Sequence, residues 1–441
     1  MADEGLDGWE DAASHERALE PIELVRQSGA ILRMGRLMLS AGTASYRVKE
    51  AMQRAAIALG ITEHHAHVTL TEITATSHRE GIFRTEVTEV RQVTVNADRI
   101  ARLDALKERL APGWTAARLN DALDAIERHA PPYPAWANAL FGGLACGAFA
   151  LLNNARALEI VAVMIAATIG QYVRRTLVRK GFNHFGTTAI AAATASTAYL
   201  SGVAIINALP FGDASQTAGY VSAILFLVPG FAIVTGALDL AKLDFSAGVS
   251  RTAFAMMILV AAALGLWGVS LVAGLDPGAG EPFAISWEVR LVIWAVASAV
   301  GVLGFALMFN ASPKMALAAA AIGAVANVGR LWLVDRGVVI QAATVLACVL
   351  VGVLAAIATR ATGYPNITLN VPATLIMIPG VRVYKTMVSL NEGFSIEALS
   401  AGIDAAFVVL SIAVGLVIAK LITDPDWSFE NRPARRAARA G

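Results

Sequence analysis

Five ionisable side chains lie inside long apolar stretches of this sequence. Arg382 and Lys385 stand one helical turn apart, Asp404 follows in the next apolar run, and Asp239 and Arg251 occupy an earlier region. A charge deep in lipid costs several kcal/mol, so such residues are expected to face the protein interior or water. A buried carboxylate can carry a proton, and a cation can hold a carboxylate. The alternative is snorkelling from near the membrane surface, which we favour for Arg251 and Asp239 over Arg382 and Asp404.

Pro-Gly pairs interrupt two of the apolar runs, Pro229-Gly230 in LFLVPG and Pro379-Gly380 in TLIMIPGVRVYK. Proline removes a backbone donor and clashes with the preceding turn, while glycine adds conformational freedom. In lipid, the freed carbonyls need partners, so such breaks are tolerated where they are packed inside protein or line a cavity. One break alone indicates a kink, whereas two breaks in corresponding helices are typical of a substrate site.

Two asparagines, Asn154 and Asn310, occupy equivalent helix ends and complete the set of candidate pathway residues. Helix capping is the alternative role for both of them. The two cysteines, Cys146 and Cys348, lie in apolar runs and are interpreted as buried filler.

A histidine cluster, His64, His65 and His67 with His78 nearby, raises the question of a metal site. In a strand, His65 and His67 share one face while His64 points to the other, so the ligands do not converge. We therefore predict a solvated strand end, with neither a metal nor a cofactor. Ser45 and Ser77 lack a recognisable nucleophile motif.

Charge divides the chain into two parts. The sequence is 56% hydrophobic and 16% charged, yet residues 1–130 hold 36 of its 69 charged side chains. The net charge of +1 gives no field that would indicate a nucleic-acid partner. Composition changes at Pro131-Pro132-Tyr133-Pro134. We predict a disordered acidic tail at 1–21, a cytoplasmic domain at 22–130, membrane repeats at 131–273 and 289–422, and a basic cytoplasmic tail at 423–441.

Runs of about 20 apolar residues predict ten spanning helices after the boundary. Their ranges are 135–152, 157–173, 185–207, 217–238, 246–273, 289–309, 313–334, 337–358, 369–390 and 400–422. Basic residues between the second and third runs, from Arg174 to Lys180, and in the C-terminal tail indicate that both termini are cytoplasmic.

An internal repeat relates the two halves of this region. FALLNNA at 149–155 resembles FALMFNA at 305–311, LFLVPG at 225–230 resembles LIMIPG at 375–380, and SAGVSRTAF at 246–254 resembles SAGIDAAF at 400–407. Five helices per copy is an odd number, so the second copy must enter the membrane upside down. The fold class is therefore an α-helical polytopic membrane protein with ten helices in two inverted five-helix repeats. Arg382 and Lys385 have no cationic counterparts in the first copy, where Ala232 and Thr235 stand.

The N-terminal region predicts a small α+β domain. Helical periodicity covers 22–40 and 43–60, and helices at about 97–110 and 115–129 flank Pro112-Gly113. Between them, the stretches 67–78 and 83–95 alternate as two strands of a hairpin that turns near Glu80-Gly81. Arg47 and Glu50 are spaced as a helix-surface pair.

The stretch SAGTASYRVKEAMQRAAIALGI at 40–61 resembles the start of the threonine/serine exporter family, and the VPG and IPG helices resemble its two membrane modules. The resemblance covers about residues 22–422 and rests on the order of the parts. It implies ten spanning helices, a cytoplasmic N-terminal domain, a bacterial inner membrane, and proton-driven export of L-threonine and L-serine. Some bacteria divide this architecture between two chains, and such a relative has been linked to succinate export. The tail after Asp424 has no match in the family.

Three functional hypotheses follow from these patterns. The first is a secondary exporter of small hydroxy amino acids whose partners are its substrate, protons and the bilayer, with homo-oligomerisation left open. The second is a dicarboxylate exporter, with which the cations Arg382 and Lys385 are compatible. The third is a membrane-anchored hydrolase acting through residues 1–130. No GxxxxGK[ST] motif is present, so ATP is not the expected energy source. Among the charges, we expect Arg382→Ala to impair transport more than Arg251→Ala.

Overall fold

The computed structural model describes residues 22–90, 94–210, 214, 217–273 and 285–428. The predicted tail at 1–21 and most of the predicted basic tail, from residue 429 onward, lie outside these ranges. The chain forms two compact units, one made of residues 1–130 with 242–250 and the other of residues 131–241 with 251–441.

The first unit is a small α+β assembly. Its elements are α1 (Ile22–Ser40), α2 (Ser45–Ala58), β1 (Glu63–Val68), β2 (Glu72–Arg79), β3 (Ile82–Glu89), α3 (Ala97–Arg109) and α4 (Ala116–Arg128). The strands form an antiparallel sheet in the order β1-β2-β3. Ile31, Met34, Met52 and Ile73 are fully buried in its core. Asn96 and Thr115 begin α3 and α4 by accepting backbone N–H bonds from Arg99 and Arg118.

The sheet has one strand more than the sequence predicted. The β2–β3 turn is where it was expected, since Glu80 and Gly81 both have positive φ, as a two-residue hairpin turn requires. The predicted strand at 67–78 is wrong, because the chain turns between Val68 and Glu72. Thr69 Oγ1 accepts the N–H of Glu72 at 3.1 Å, which makes this turn without glycine, proline, asparagine or aspartate.

The second unit consists of helices. They are α5 (Ala135–Leu152), α6 (Ala157–Arg179), α7 (His184–Asn207), α8 (Thr217–Ser222), α9 (Gly230–Ala241), α10 (Phe245–Ala273), α11 (Trp287–Met308), α12 (Pro313–Asp335), α13 (Ile340–Thr362), α14 (Asn366–Leu375), α15 (Gly380–Asn391), α16 (Ser395–Thr423) and α17 (Pro425–Ser428). The first turn of α10, up to Ser250, clusters with the first unit.

Eight of these helices in the described ranges are long and apolar enough to cross a membrane, or nine if one bent pair counts as a span. The sequence predicted ten spans, two of them interrupted by a Pro-Gly pair. The difference arises at 217–238 and 369–390, where each predicted span is two shorter helices separated by the Pro-Gly pair. Proline cannot donate the backbone bond that would continue the helix, so each run stops there.

Two sets of helices have matching lengths. We call α5–α10 the first helix set and α11–α16 the second helix set. The second helix of each set, α6 and α12, has 23 residues. At the ends of the sets, α9 and α15 have 12 residues each, and α10 and α16 have 29 each. The starts of α10 and α16 are separated by 150 residues, so the SAG match at 246 and 400 lies about one helical turn out of this register.

Candidate functional site

The first helix break separates α8 from α9. After Ser222 the chain continues as a short 3-10 turn, Leu225–Leu227, and Val228 is extended before Pro229. The helical axes on the two sides of Pro229 differ by 62°. The second break has the same plan, because α14 ends at Leu375 and α15 begins at Gly380, directly after Pro379. Both proline-glycine pairs therefore end one helix and begin another, as the sequence indicated.

The two breaks meet within the second unit. A Cβ atom added to Gly230 would overlap the side chain of Leu375, so the start of α9 packs directly on the end of α14. A larger residue at this position would require the Leu375 side chain to shift. Beside this contact lies a cavity of about 490 Å³.

The cavity is bordered by both breaks and by α10 and α16. Val228 and Gly230 line it from the first break, and Leu375 and Pro379 line it from the second. Its lining is apolar except for the hydroxyls of Thr252 and Thr374. None of the five ionisable candidates of the sequence analysis lies in this lining, so the charges and the cavity are separate features of the described structure.

A buried ion pair links α9 to α10. Arg251 Nε lies 3.1 Å from Asp239 Oδ2, and the two side chains are 2% and 0% exposed. Arg251 Nη1 also donates to Thr235 Oγ1 at 3.2 Å. Snorkelling is therefore the wrong interpretation for both residues, because both side chains are buried within the protein. Buried charges of opposite sign stabilise each other where neither can reach water.

A second ion pair links the corresponding helices α15 and α16. The guanidinium of Arg382 binds the carboxylate of Asp404, and these side chains are 34% and 42% exposed. The polarity is interchanged: α9 carries the acid of the first pair, whereas α15 carries the base of the second. Lys385 is exposed, and no described carboxylate forms an ion pair with it.

The two asparagine candidates lie at equivalent helix ends. Asn154 follows α5 with φ of 65°, and Asn310 follows α11 with φ of 62°. In both places the next residue donates back across the last turn, Ala155 to the oxygen of Ala150 and Ala311 to that of Ala306, each at 3.0 Å. Asparagine tolerates this left-handed conformation better than most residues, so both positions end a helix.

The sequence analysis missed a polar chain in each helix set. In the first, Asn138 of α5 accepts from Gln171 Nε2 at 2.9 Å, and Arg174 Nη1 reaches Gln171 Oε1 at 3.4 Å. In the second, Asn327 Nδ2 donates to Ser298 Oγ at 2.8 Å, and Arg330 Nε donates to Asn327 Oδ1 at 2.9 Å. The available signal in the sequence was a side-chain amide three residues before an arginine. This pattern occurs at Gln171 and Arg174 and again 156 residues later at Asn327 and Arg330, and the starts of α6 and α12 have the same separation.

The histidine cluster of the first unit behaves as strand geometry predicts. His64 is buried and its Nδ1 lies 3.0 Å from Ser77 Oγ, while His65 and His67 are exposed on the other face. Burial lowers the pKa of His64 to about 4, so this imidazole is neutral at pH 7. Within the described ranges, no group of three or more His, Cys, Asp and Glu side chains could hold a metal ion.

Ser45 has a partner that argues against a nucleophile. Its Oγ donates to Asp244 Oδ2 at 2.5 Å, and Lys49 Nζ lies 2.6 Å from the same oxygen. Ser45 is the first residue of α2, and its hydroxyl shares this carboxylate oxygen with the ammonium group of Lys49. Asp244 belongs to the segment 242–250, which connects α9 to α10 in the chain and clusters with residues 1–130.

Comparison with known proteins identifies relatives of the chain. Residues 30–273 match the family described as "Putative threonine/serine exporter", and residues 294–422 match the one described as "Threonine/Serine exporter, ThrE". No solved structure matches the chain.

Three curated relatives represent two printed functions. A Klebsiella aerogenes protein named "Probable succinate transporter subunit YjjP" is 26% identical over 53% of this chain and 90% of its own length. Its Escherichia coli namesake is 31% identical over 31% of this chain and 54% of its own length. A Mycobacterium tuberculosis "Probable threonine/serine exporter" is 23% identical over 89% of this chain and 76% of its own length. These are transporters, not enzymes, which removes the hydrolase hypothesis.

Proposed function

Because this multi-pass membrane protein belongs to the threonine/serine exporter family, we propose that it exports L-threonine and L-serine by proton-driven alternating access. The observation that carries this proposal is the meeting of two helix breaks at one cavity. A transporter needs a site that two parts of the protein can close in turn, and broken helices supply movable ends at such a site.

The proposed membrane arrangement has ten spans. Each broken pair, α8 with α9 and α14 with α15, counts as one span, so both helix sets contain five. The two sets then enter the membrane in opposite directions, and both termini and residues 22–130 lie in the cytoplasm of a bacterial cell. Basic residues in the last turns of α6 and directly after it, from Arg174 to Lys180, support this orientation.

The inversion can be tested at two equivalent turns. Lys180 follows α6, and Arg336 follows α12. In bacterial cells producing the full chain, a membrane-impermeant maleimide is expected to label Arg336→Cys and not Lys180→Cys until the membrane is opened. The native cysteines are buried and provide a low background. Equal labelling of both variants in intact cells would contradict the inverted arrangement.

The substrate is expected to use backbone groups and the ion pairs together. Gly230 and Gly380 begin α9 and α15, where free N–H groups and the helix dipole favour a carboxylate. The apolar cavity accommodates a short side chain, and carbonyls before Pro229 and Pro379 can accept from the ammonium group. Asp239–Arg251 and Arg382–Asp404 are the charges we propose to open and close around the pathway, with Asp404 as the proton carrier. Lys385, Asn154 and Asn310 lie at its ends in this proposal.

Transport into proteoliposomes tests the mechanism. Radiolabelled L-threonine trapped inside vesicles is expected to leave faster when the outer pH is lowered, because protons entering drive the amino acid out. Asp404→Asn is expected to keep exchange of threonine across the membrane and to lose the acceleration by the pH gradient. Wild-type flux that ignores the gradient would rule out proton coupling.

A dicarboxylate is the second candidate substrate. Two relatives named as succinate transporter subunits favour it. The positive charges of Arg382 and Lys385 also favour it, and they follow the second break but have no counterparts after the first. Counterflow distinguishes the candidates. An unlabelled substrate inside the vesicles accelerates uptake of the labelled amino acid or dicarboxylate from outside, whereas a compound that is not transported does not. Acceleration by succinate and not by L-threonine would reverse our choice.

A further inference from the structure

Arg330 is a buried cation to which the proposed mechanism gives no role. Its side chain sits on α12, five residues before that helix ends, and the residue is 8% exposed. Nε donates to Asn327 Oδ1 at 2.9 Å. Among the residues that the structure describes, no carboxylate forms an ion pair with Arg330, and neither Nη atom has a hydrogen-bond partner.

Such a residue is expensive to keep unless something binds it. A buried guanidinium without a counterion loses its hydration and gains little in exchange. Ionisable residues inside membrane segments therefore mark substrate or ion pathways more often than structural positions. The other buried arginine of the spanning helices, Arg251, has Asp239 to neutralise it, so Arg330 differs from it in needing a partner from outside.

The position of Arg330 connects it to the second break. Gly323, two turns earlier on α12, packs on Ala373 of α14. A Cβ atom added to Gly323 would lie 3.1 Å from the Cα of Ala373. Cys348 lies on α13, which packs against α12. Cys348 Sγ lies 3.9 Å from Met377 Sδ, which belongs to the break. Arg330 therefore lies on a helix that packs directly against α14, the segment that must move if α14 and α15 change their angle.

The neighbours of Arg330 hold its guanidinium in one orientation. Ser298 Oγ accepts from Asn327 Nδ2, which directs Asn327 Oδ1 towards Arg330 Nε. This arrangement uses Nε and leaves the two Nη groups as a planar pair of donors. Two parallel donors of this kind match the two oxygens of a carboxylate.

We propose that Arg330 binds the carboxylate of the transported substrate. The inference rests on the proposed export of a small carboxylate-bearing molecule, and it assigns the residue that recognises the carboxylate. Arg174 is the counterpart in the first helix set: it is less buried, it is held by Gln171, and no described carboxylate pairs with it. Gly170, one turn before Arg174, packs on Phe226 of the first break. Each break thus has one arginine beside it that can receive the carboxylate.

Counterflow with ligands that differ in the carboxylate tests this assignment. The full chain is reconstituted in proteoliposomes, and uptake of labelled L-threonine is measured against unlabelled L-threonine, L-threoninol and succinate. L-threoninol, which lacks the carboxylate, is expected to compete at least tenfold less well than L-threonine. Arg330→Gln is expected to raise the half-saturating threonine concentration about tenfold to a hundredfold, as for loss of a charge-assisted hydrogen-bond pair. Arg330→Lys is expected to recover part of this loss.

A matched control is available directly after the same helix. Arg336 is exposed and stacks on Trp332 at 5.0 Å, so Arg336→Gln removes the same charge without touching the proposed site. It is expected to keep the wild-type half-saturating concentration. If Arg330→Gln fails to elute as a single species in detergent, Arg330→Lys and Asn327→Ala carry the test. Both should then raise the half-saturating concentration while retaining the wild-type melting temperature.

The outcomes separate this inference from the proposed function. If wild-type protein moves succinate and not threonine, the proposed substrate is wrong, and the same Arg330 variants are scored by their half-saturating succinate concentration. An unchanged half-saturating concentration in folded Arg330→Gln, for whichever substrate is moved, overturns the assignment. Equal competition by L-threonine and L-threoninol overturns it as well.

Discussion

Each helix set contains one ion pair between the helix after its break and the next helix, but the two pairs differ in polarity and in burial. In the first set the acid is on the helix after the break, Asp239, and the base, Arg251, is on the next helix; in the second set these signs are exchanged. The first pair is enclosed, whereas the second is open to its surroundings. A pair enclosed by protein holds two helices together, whereas a pair with fewer protein neighbours holds them less firmly, so the second set is the one we expect to move more easily.

The enclosed pair provides the largest expected effect. Arg251→Ala removes the buried guanidinium that pairs with Asp239, so the free energy of unfolding is expected to fall by about 3–5 kcal/mol. Urea titration of the purified protein in detergent micelles measures this change. Arg382→Ala serves as the control and should lose less than about 1 kcal/mol. Equal losses in the two variants would break the comparison between the sets.

The contact between the two breaks comes next in size. Gly230→Ala inserts a methyl group against Leu375, and overpacking of this kind costs about 1–3 kcal/mol. Leu375→Ala in the same chain should relieve part of the loss. Gly268→Ala in α10 is the control, because nothing lies within 4 Å of its added Cβ, and it should leave the stability unchanged or raise it slightly. The melting temperature in detergent follows all four proteins.

The open pair is expected to contribute little to stability and much to transport. A double-mutant cycle of Arg382→Ala and Asp404→Asn should yield a coupling energy below about 1 kcal/mol at low ionic strength, and salt should reduce it further. Threonine efflux driven by a pH gradient is expected to fall well below the wild-type rate in the same variants. A coupling energy as large as that of Asp239 with Arg251 would show that the two pairs are equivalent, despite their different exposure.

The smallest effect is expected at the exposed cation of the second set. Lys385→Gln removes a charge that pairs with no described carboxylate, so stability should change by less than about 0.5 kcal/mol. Flux is expected to fall by less than in Arg382→Ala. If Lys385→Gln were the more damaging variant, the substrate would depend on Lys385, and the Arg382–Asp404 pair would lose its place in the proposal.

These pairs also show where prediction from sequence ends. Pro229 and Pro379 predict their breaks because a missing N–H acts locally, and Glu80-Gly81 predicts its turn for a similar reason. The pairing of Asp239 with Arg251 depends on how α9 and α10 rotate about their axes, which apolar composition does not specify. For the same reason the sequence favoured Arg382 over Arg251, although Arg251 is the residue enclosed by protein.

The missed features share a physical cause. Thr69 forms the β1–β2 turn through its side chain, so an unbroken alternation of residues resembled one long strand. Gln171 and Asn327 look like tolerable polar residues in a helix, and their meaning depends on neighbours from other helices. Ten spans and an inverted arrangement stay predictions, because eight described helices satisfy the length and apolarity of a span and the bent pair makes nine.

The clustering of residues 242–250 with the N-terminal unit bears on where this gene can be divided. A chain cut between residues 273 and 285 keeps Asp244 on the same polypeptide as Ser45 and Lys49, and it separates the two helix sets where the two family matches also part. A cut after residue 130 instead removes Asp244 from its hydrogen-bond partners. We therefore expect two fragments divided between residues 273 and 285 to restore function when they are produced together. Two fragments divided after residue 130 are expected to fail, or to need reassociation of the 242–250 segment with the N-terminal unit.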